Sequence, residues 1–249
     1  MDVVPGREVL CSTDIARRFD SNLLDRALSD GQLVAGCHRA IDLGLAAVVC
    51  RPERVATAAR ATEGSDVAVC TGLNVRDDTR LDVSLSDISA AADRAVADGV
   101  RDLTLLVAAA QLQDGNADLL AAQISVIAAS AARGGGKARV ILMTSGMTSD
   151  QISAGCRLSV ASGAGIVQGG SLTTGDRVSM SQLSLMRREL GPEVLLKWMR
   201  QVRSLDQFLV ARAEGVDRFW GDVEAVLDQA RERESWGERI RVPLVGVDY

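Results

Sequence analysis

The chain contains two lysines, Lys137 and Lys197, so nearly all of its 28 basic residues are arginine. Lys197 stands in Val194-Leu195-Leu196-Lys197-Trp198-Met199, an apolar run that predicts a buried strand. A lysine is costly to bury unless it is paired or faces a polar cavity. Desolvation lowers its pKa, which suits a nucleophile or a proton carrier. The alternative is a structural ion pair, with Asp20 as the partner. Asp20 itself could be an acid/base, the counter-ion of Lys197, or a turn aspartate. Around this pair, Thr104, Thr144, Ser145 and Ser171 could line a polar pocket, Gln168 could hold a substrate carbonyl or hydroxyl, and Cys50 could be a pocket thiol or simple packing. Arg51 and Arg200 follow predicted strands, where either could clamp a carboxylate. His38 is the only histidine and falls mid-helix. With no carboxylate cluster at ligand spacing, neither a metal nor another cofactor is expected.

These residues belong to a rhythm of short apolar runs and amphipathic stretches, which argues for βαβ units and a parallel sheet. The pattern predicts eight strands: Asp20–Leu24, Ala46–Cys50, Val67–Leu73, Leu103–Ala108, Arg139–Ser145, Gly165–Gly169, Val194–Met199 and Arg218–Gly221. Helices fall between them and after the last. Pro52 suits a first helical turn, and Ser149-Asp150-Gln151 a helix start. Gly44, Gly99, Gly163 and Gly215 each end a helical run where a left-handed cap is wanted. Even strand spacing, and the absence of a GxGxxG or P-loop after the first strand, favour a single (β/α)8 TIM barrel over an open doubly wound sheet. Residues 1–18 form an N-terminal extension, 19–234 the barrel and 235–249 a C-terminal tail. The tail's Val242-Pro243-Leu244-Val245 could pack on the barrel or on a partner, and the extra termini suggest a homodimer.

Bulk properties agree. A chain of 249 residues is near the size of one such barrel. Only 3% of it is aromatic, so the core must be aliphatic. Net charge is −5, with no basic patch, so nucleic acid is not an expected partner. Five cysteines without CxxC spacing read as free thiols. No apolar stretch approaches the roughly 20 residues of a membrane helix, and a cytoplasmic protein without a membrane partner is expected.

Several segments resemble the deoxyribose-phosphate aldolase family. Leu45-Ala46-Ala47-Val48-Val49-Cys50-Arg51-Pro52 is similar to that family's second strand and its proline. Arg139-Val140-Ile141-Leu142-Met143-Thr144, with Met147-Thr148-Ser149-Asp150-Gln151-Ile152, resembles its fifth strand and next helix. Ser181-Gln182-Leu183-Ser184-Leu185-Met186-Arg187-Arg188 and Gly191-Pro192-Glu193-Val194 resemble its sixth helix and the approach to strand seven. The resemblance runs from about Asp20 to Leu227 and implies the barrel.

The family's chemistry carries over only in part. Its Schiff-base lysine falls on Gln168, in Ile166-Val167-Gln168-Gly169-Gly170-Ser171, and an amide nitrogen cannot form an imine. Its strand-four acidic residue falls on Thr104. The strand-seven lysine is matched by Lys197, and a strand-one aspartate by Asp20. The family's glycine-rich phosphate turns correspond to Arg200-Gln201-Val202-Arg203, where the glycines are gone, and to Trp220-Gly221-Asp222-Val223, where a tryptophan would fill space and Asp222 would repel a dianion.

The resemblance therefore implies an aldolase-like barrel acting on a small, unphosphorylated carbonyl compound by general acid/base chemistry: C–C cleavage, condensation, cyclisation or isomerisation. Two alternatives stay open. One is an aldolase with Lys197 as a relocated Schiff-base lysine, and the other is an inactive binding or scaffold protein.

Overall fold

Eight parallel strands, each joined to the next by a helix, order themselves in sequence around one sheet. The computed structural model describes residues 8–73, 84–112, 116–170 and 178–244. The barrel strands are β2 (Asp20–Leu23), β3 (Ala47–Cys50), β4 (Ala68–Gly72), β5 (Asp102–Val107), β6 (Ala138–Leu142), β7 (Ile166–Gly169), β8 (Leu195–Val202) and β9 (Arg218–Gly221). The helices that follow them are α2 (Asp30–Asp42), α3 (Val55–Ala61), α4 (Leu85–Ala97), α5 (Ala117–Arg133), α6 (Ser149–Ala161), α7 (Met180–Leu190), α8 (Leu205–Ala213) and α9 (Val223–Ser235). The architecture is the predicted (β/α)8 barrel, and β9 keeps its predicted bounds.

Two strand ends differ from expectation by three residues. β6 stops at Leu142, because Thr144–Gly146 turn into a short 3-10 helix. β8 runs on to Val202, three residues past its predicted end. α6 starts at Ser149 as predicted, with Thr148 as its N-cap: the Thr148 side chain accepts from Gln151 N, and Gln151 returns the bond to the cap backbone. One helix start differs. Pro52 opens a 3-10 turn, Pro52–Arg54, before α3 begins. All four cap glycines are left-handed, with φ of 68° at Gly44, 101° at Gly99, 88° at Gly163 and 85° at Gly215.

The ring closes where β2 meets β9, through a parallel bridge of Phe19 and Phe219. There Phe219 N donates to Arg18 O at 2.8 Å and Ala46 N to Phe19 O at 2.9 Å. Phe19, Phe208 and Phe219, all fully buried, pack with ring centroids 4.6–5.8 Å apart. All three phenylalanines of the chain are thus spent on the seam, while the rest of the core is mainly aliphatic, with Trp198 as its other aromatic residue.

Below the seam, β1 (Val9–Leu10) pairs antiparallel with β10 (Ile240–Arg241), and α1 (Ser12–Ala16) packs against α9. Val242 of the tail is buried and Leu244 exposed; Val245 lies outside the described residues. An ionic girdle fixes this end of the barrel. Glu8 bridges Arg18 at 2.7 Å and Arg212 at 2.8 Å, and Asp217 bridges Arg187 at 2.9 Å and Arg212 at 2.8 Å. Asp217 also accepts from Leu196 N at 2.9 Å, which ties the girdle to the first turn of β8.

Candidate functional site

Two strand positions beyond the girdle, the barrel axis holds a second set of charges. Alternation along each strand turns every other side chain inward. In-register pairing of Lys197 with Gln168 and of Gln168 with Ile141 sets these residues side by side across β8, β7 and β6. Lys197 and Asp20 are both almost wholly buried, and Lys197 Nζ donates to Asp20 Oδ2. Arg218 donates to the other oxygen, Oδ1, from Nη2 at 2.5 Å and from Nε at 3.1 Å. Arg139 lies with Nη2 3.1 Å from Asp20 Oδ2 and 3.6 Å from Asp102 Oδ2. Asp102 in turn accepts from Lys137 N at 3.0 Å.

Three cations therefore share two carboxylates in a largely buried region. Arg139 is 1% exposed, yet its Nε and Nη2 have no hydrogen-bond partner among the described residues. The excess positive charge acts on the one member that can lose a proton. Burial, and next the Arg139 guanidinium, lower the Lys197 pKa to about 8, against the pull of Asp20. Burial opposes the charge on Asp20, but Arg218, Lys197 and Arg139 outweigh it and hold that carboxyl well below the usual range. Asp20 is thus a fixed anion, which fits the counter-ion reading, and Lys197 is the group whose proton is exchangeable near neutrality.

The β8–β9 ladder breaks at this point. Lys197 pairs with Arg218, but the next pair is Gln201 with Trp220, so β8 carries two extra residues opposite β9. Such a bulge re-aims side chains. It lies directly beyond Lys197, on the segment that carries Trp198, Met199 and Arg200.

Above the cluster opens a cavity of about 250 Å³, at the end of the barrel where the strands finish. Lys197, Asp20, Arg139, Thr104 and Gln168 line its lower part. Its walls are mainly apolar, with Leu24, Val49, Leu106, Ile141, Met199 and Trp220 among them. Gln168 Nε2 donates to Met199 Sδ at 3.0 Å, and Thr104 Oγ1 meets Cys70 Sγ at 3.3 Å. Sulfur is a weak partner, so both polar groups are held lightly and can exchange to a ligand. Trp220 Nε1 is buried with no partner among the described residues. Cys50 also lines the cavity, but burial pushes its thiol up to about 12, so it is not a thiolate nucleophile.

Of the residues picked out in the sequence, Lys197, Asp20, Gln168, Thr104, Cys50 and Arg51 meet at this cavity. Three others do not. Thr144 is buried in the 3-10 turn that ends β6 early, and the same turn carries Ser145 out to solvent. Arg200 is exposed and lies over the Trp198 ring, 5.8 Å from its centroid. Ser171 lies outside the described residues. Sequence reasoning missed Arg139, Asp102 and Arg218. The usable signal was charge inside or next to a strand: Arg139 in an apolar run and Asp102 at the head of another.

The phosphate turns of the resembling family are also filled from within. Asp222 caps α9, its carboxylate accepting from Ala225 N at 3.2 Å, so this helix start already holds an anion. Ser204 caps α8 in the same way, accepting from Gln207 N, and Arg203 N is taken by Gln207 Oε1 at 2.9 Å. Among the described residues, no His, Cys, Asp and Glu side chains gather as a metal site. No described helix is long and apolar enough to cross a membrane.

No family model matches the chain. It is 28% identical over 198 residues to a deoxyribose-phosphate aldolase of Geobacillus sp., covering 77% of this chain and 84% of that one. It is also 28% identical over 194 residues to a deoxyribose-phosphate aldolase of Lysinibacillus sphaericus, covering 78% and 85%. Its fold matches the tetrameric deoxyribose phosphate aldolase of Aeropyrum pernix with a TM-score of 0.75 at 18% identity, over 88% of this chain and 92% of that one. In sequence and in overall fold, the chain is thus similar to deoxyribose-phosphate aldolases.

Proposed function

We propose that this barrel is a lyase-type enzyme that acts on an unphosphorylated carbonyl compound by general acid/base chemistry, with Lys197 as the proton carrier. The observation that carries the reading is one amine, buried at the floor of a cavity, with its pKa brought down to about 8. A group that titrates near the working pH is the efficient choice for moving protons. The neutral amine removes a proton from the carbon next to the substrate carbonyl. The Gln168 amide and the Thr104 hydroxyl, released from their sulfur partners, donate to the carbonyl oxygen as charge gathers there. The resulting ammonium, steadied by Asp20, returns the proton. Condensation, cyclisation and isomerisation use this sequence, and C–C cleavage runs it in reverse: the amine takes the proton of the β-hydroxyl, the C–C bond breaks to an enolate, and the ammonium protonates the carbon released. The self-capped helix starts at Asp222 and Ser204 support a substrate without a phosphate.

The same lowered pKa favours a second reading, in which Lys197 itself adds to the carbonyl and forms an imine, as a relocated Schiff-base lysine. Borohydride reduction in the presence of a carbonyl substrate, followed by mass measurement, separates the two. Turnover without an adduct supports the acid/base route, and an adduct on Lys197 supports the imine. Turnover and trapping that both survive Lys197→Met would sink both readings. An open cavity over an unsatisfied charge cluster speaks against an inert scaffold, whose abandoned site would be expected to fill with apolar side chains.

A further inference from the structure

The cavity's charge is lopsided beyond the floor cluster. Among the described residues, four charged side chains line it: Asp20, Arg51, Arg139 and Lys197, three cations and one anion. Asp20 is already fully engaged by Lys197, Arg218 and Arg139. Arg51 stands apart from that cluster. Its Nε donates to Leu24 O at 2.8 Å, which fixes the guanidinium just beyond the end of β2, and no carboxylate is paired with it among the described residues. Pro52 follows it at once in the cavity wall and stiffens the backbone there. Leu24 lies four residues beyond Asp20, the partner of Lys197, so the two cationic ends are roughly 13 Å apart at the usual rise per strand residue. Between them the wall is apolar: Leu24, Val49, Leu106, Ile141 and Met199.

We propose that the occupant is an oxo acid: a carbonyl compound whose carbonyl meets Lys197 and whose carboxylate, carried across an apolar spacer, is held by Arg51. The identification of the carbonyl end rests on the function proposed above, whereas the carboxylate end rests on Arg51 and the charge imbalance alone. A guanidinium fixed through one nitrogen still presents a planar edge to a carboxylate. The spacer follows from distance. Allowing for contact at each end, roughly 7 Å remains, the span of about five carbon–carbon bonds. A carbonyl adjacent to the carboxylate cannot reach both groups.

Calorimetric binding to the whole chain tests this, using pyruvate, levulinate and adipic semialdehyde as oxo acids of increasing length, with methyl levulinate as the neutral counterpart and inorganic phosphate as the competing anion. Affinity is expected to rise along the series. Methyl levulinate is expected to bind about tenfold more weakly than levulinate, a loss of one charged hydrogen-bonded contact. Arg51→Gln should weaken the two longer acids by a similar factor, while Arg200→Gln, at the exposed arginine nearby, leaves them unchanged. The difference between acid and ester should persist in Lys197→Met, so failure of the amine chemistry would leave this result standing. Equal binding of acid and ester, pyruvate binding best, no binding by any of the acids, no effect of Arg51→Gln, or phosphate displacing the acids at equal concentration would each overturn the assignment.

Discussion

The two ionic assemblies of this barrel hold the same ratio of charge and behave differently. The girdle at the strand starts sets Arg18, Arg187 and Arg212 against Glu8 and Asp217. The cluster on the axis sets Lys197, Arg139 and Arg218 against Asp20 and Asp102. In the girdle the side chains keep 13–24% of their exposure, so water shares the surplus positive charge. In the cluster, Lys197, Asp20 and Arg139 keep 5% or less, and the surplus must be met inside the protein. The lesson is that access of solvent decides whether the same charge ratio is shared with water or must be met inside the protein. The girdle satisfies its donors and fixes the barrel. The cluster leaves Arg139 short of partners, and burial, with the Arg139 guanidinium second, loosens the proton on Lys197.

Removing one anion from each assembly should separate them most. Asp20→Asn leaves three buried cations facing a neutral amide and is expected to cost about 3–5 kcal/mol in urea unfolding. The matching Asp217→Asn, whose arginines can turn to water, should cost about 1–2 kcal/mol. Equal losses would erase the distinction.

Lys197→Met should abolish turnover while costing little stability, because Asp20 keeps Arg218 and Arg139. It should also remove a pH signature. In the native protein Lys197 titrates at about 8, and in the unfolded chain at its ordinary 10.5. Between those values the unfolded chain binds the extra proton, so stability rises with pH across that window. In Lys197→Met that rise should be missing, and urea midpoints measured across the window will show it.

A subtler change is Arg139→Met. Loss of the cation beside Lys197 should raise the amine's pKa and carry the lower limb of the pH–rate profile upward from about 8. A profile that stays in place would mean that burial alone sets the proton. The smallest effect is expected at the rim of the girdle. Glu8→Gln exchanges a partly exposed ion pair for a hydrogen bond, and a loss of about 1 kcal/mol or less should leave catalysis untouched.

The barrel was legible because its signals are local. Left-handed glycines at helix ends, an apolar run every few tens of residues, and polar residues before helices each need only their neighbours to be read. Lys197 and Asp20 were legible for the same reason, as charges misplaced in apolar company. Arg139 sits in equally apolar company, yet its role depends on Asp20 and Asp102 in two other strands, which no local pattern links to it. The polar residues after β6 failed in the opposite way. An apparent continuation of the strand through Ser145 turns instead as a 3-10 helix, and this takes Thr144 and Ser145 away from the cavity.

Residue order by itself determined that this chain forms a parallel eight-fold barrel, and that one lysine would be driven out of water. Only the tertiary structure decided what that lysine meets. Closure of the ring at Phe19 and Phe219 brings β2 beside β9 and so sets Asp20 against Arg218 and Lys197, residues separated by most of the chain. Propensity and periodicity act over a few residues, whereas the field at a buried amine is a sum over every charge within several ångströms. That sum exists only once the barrel is closed.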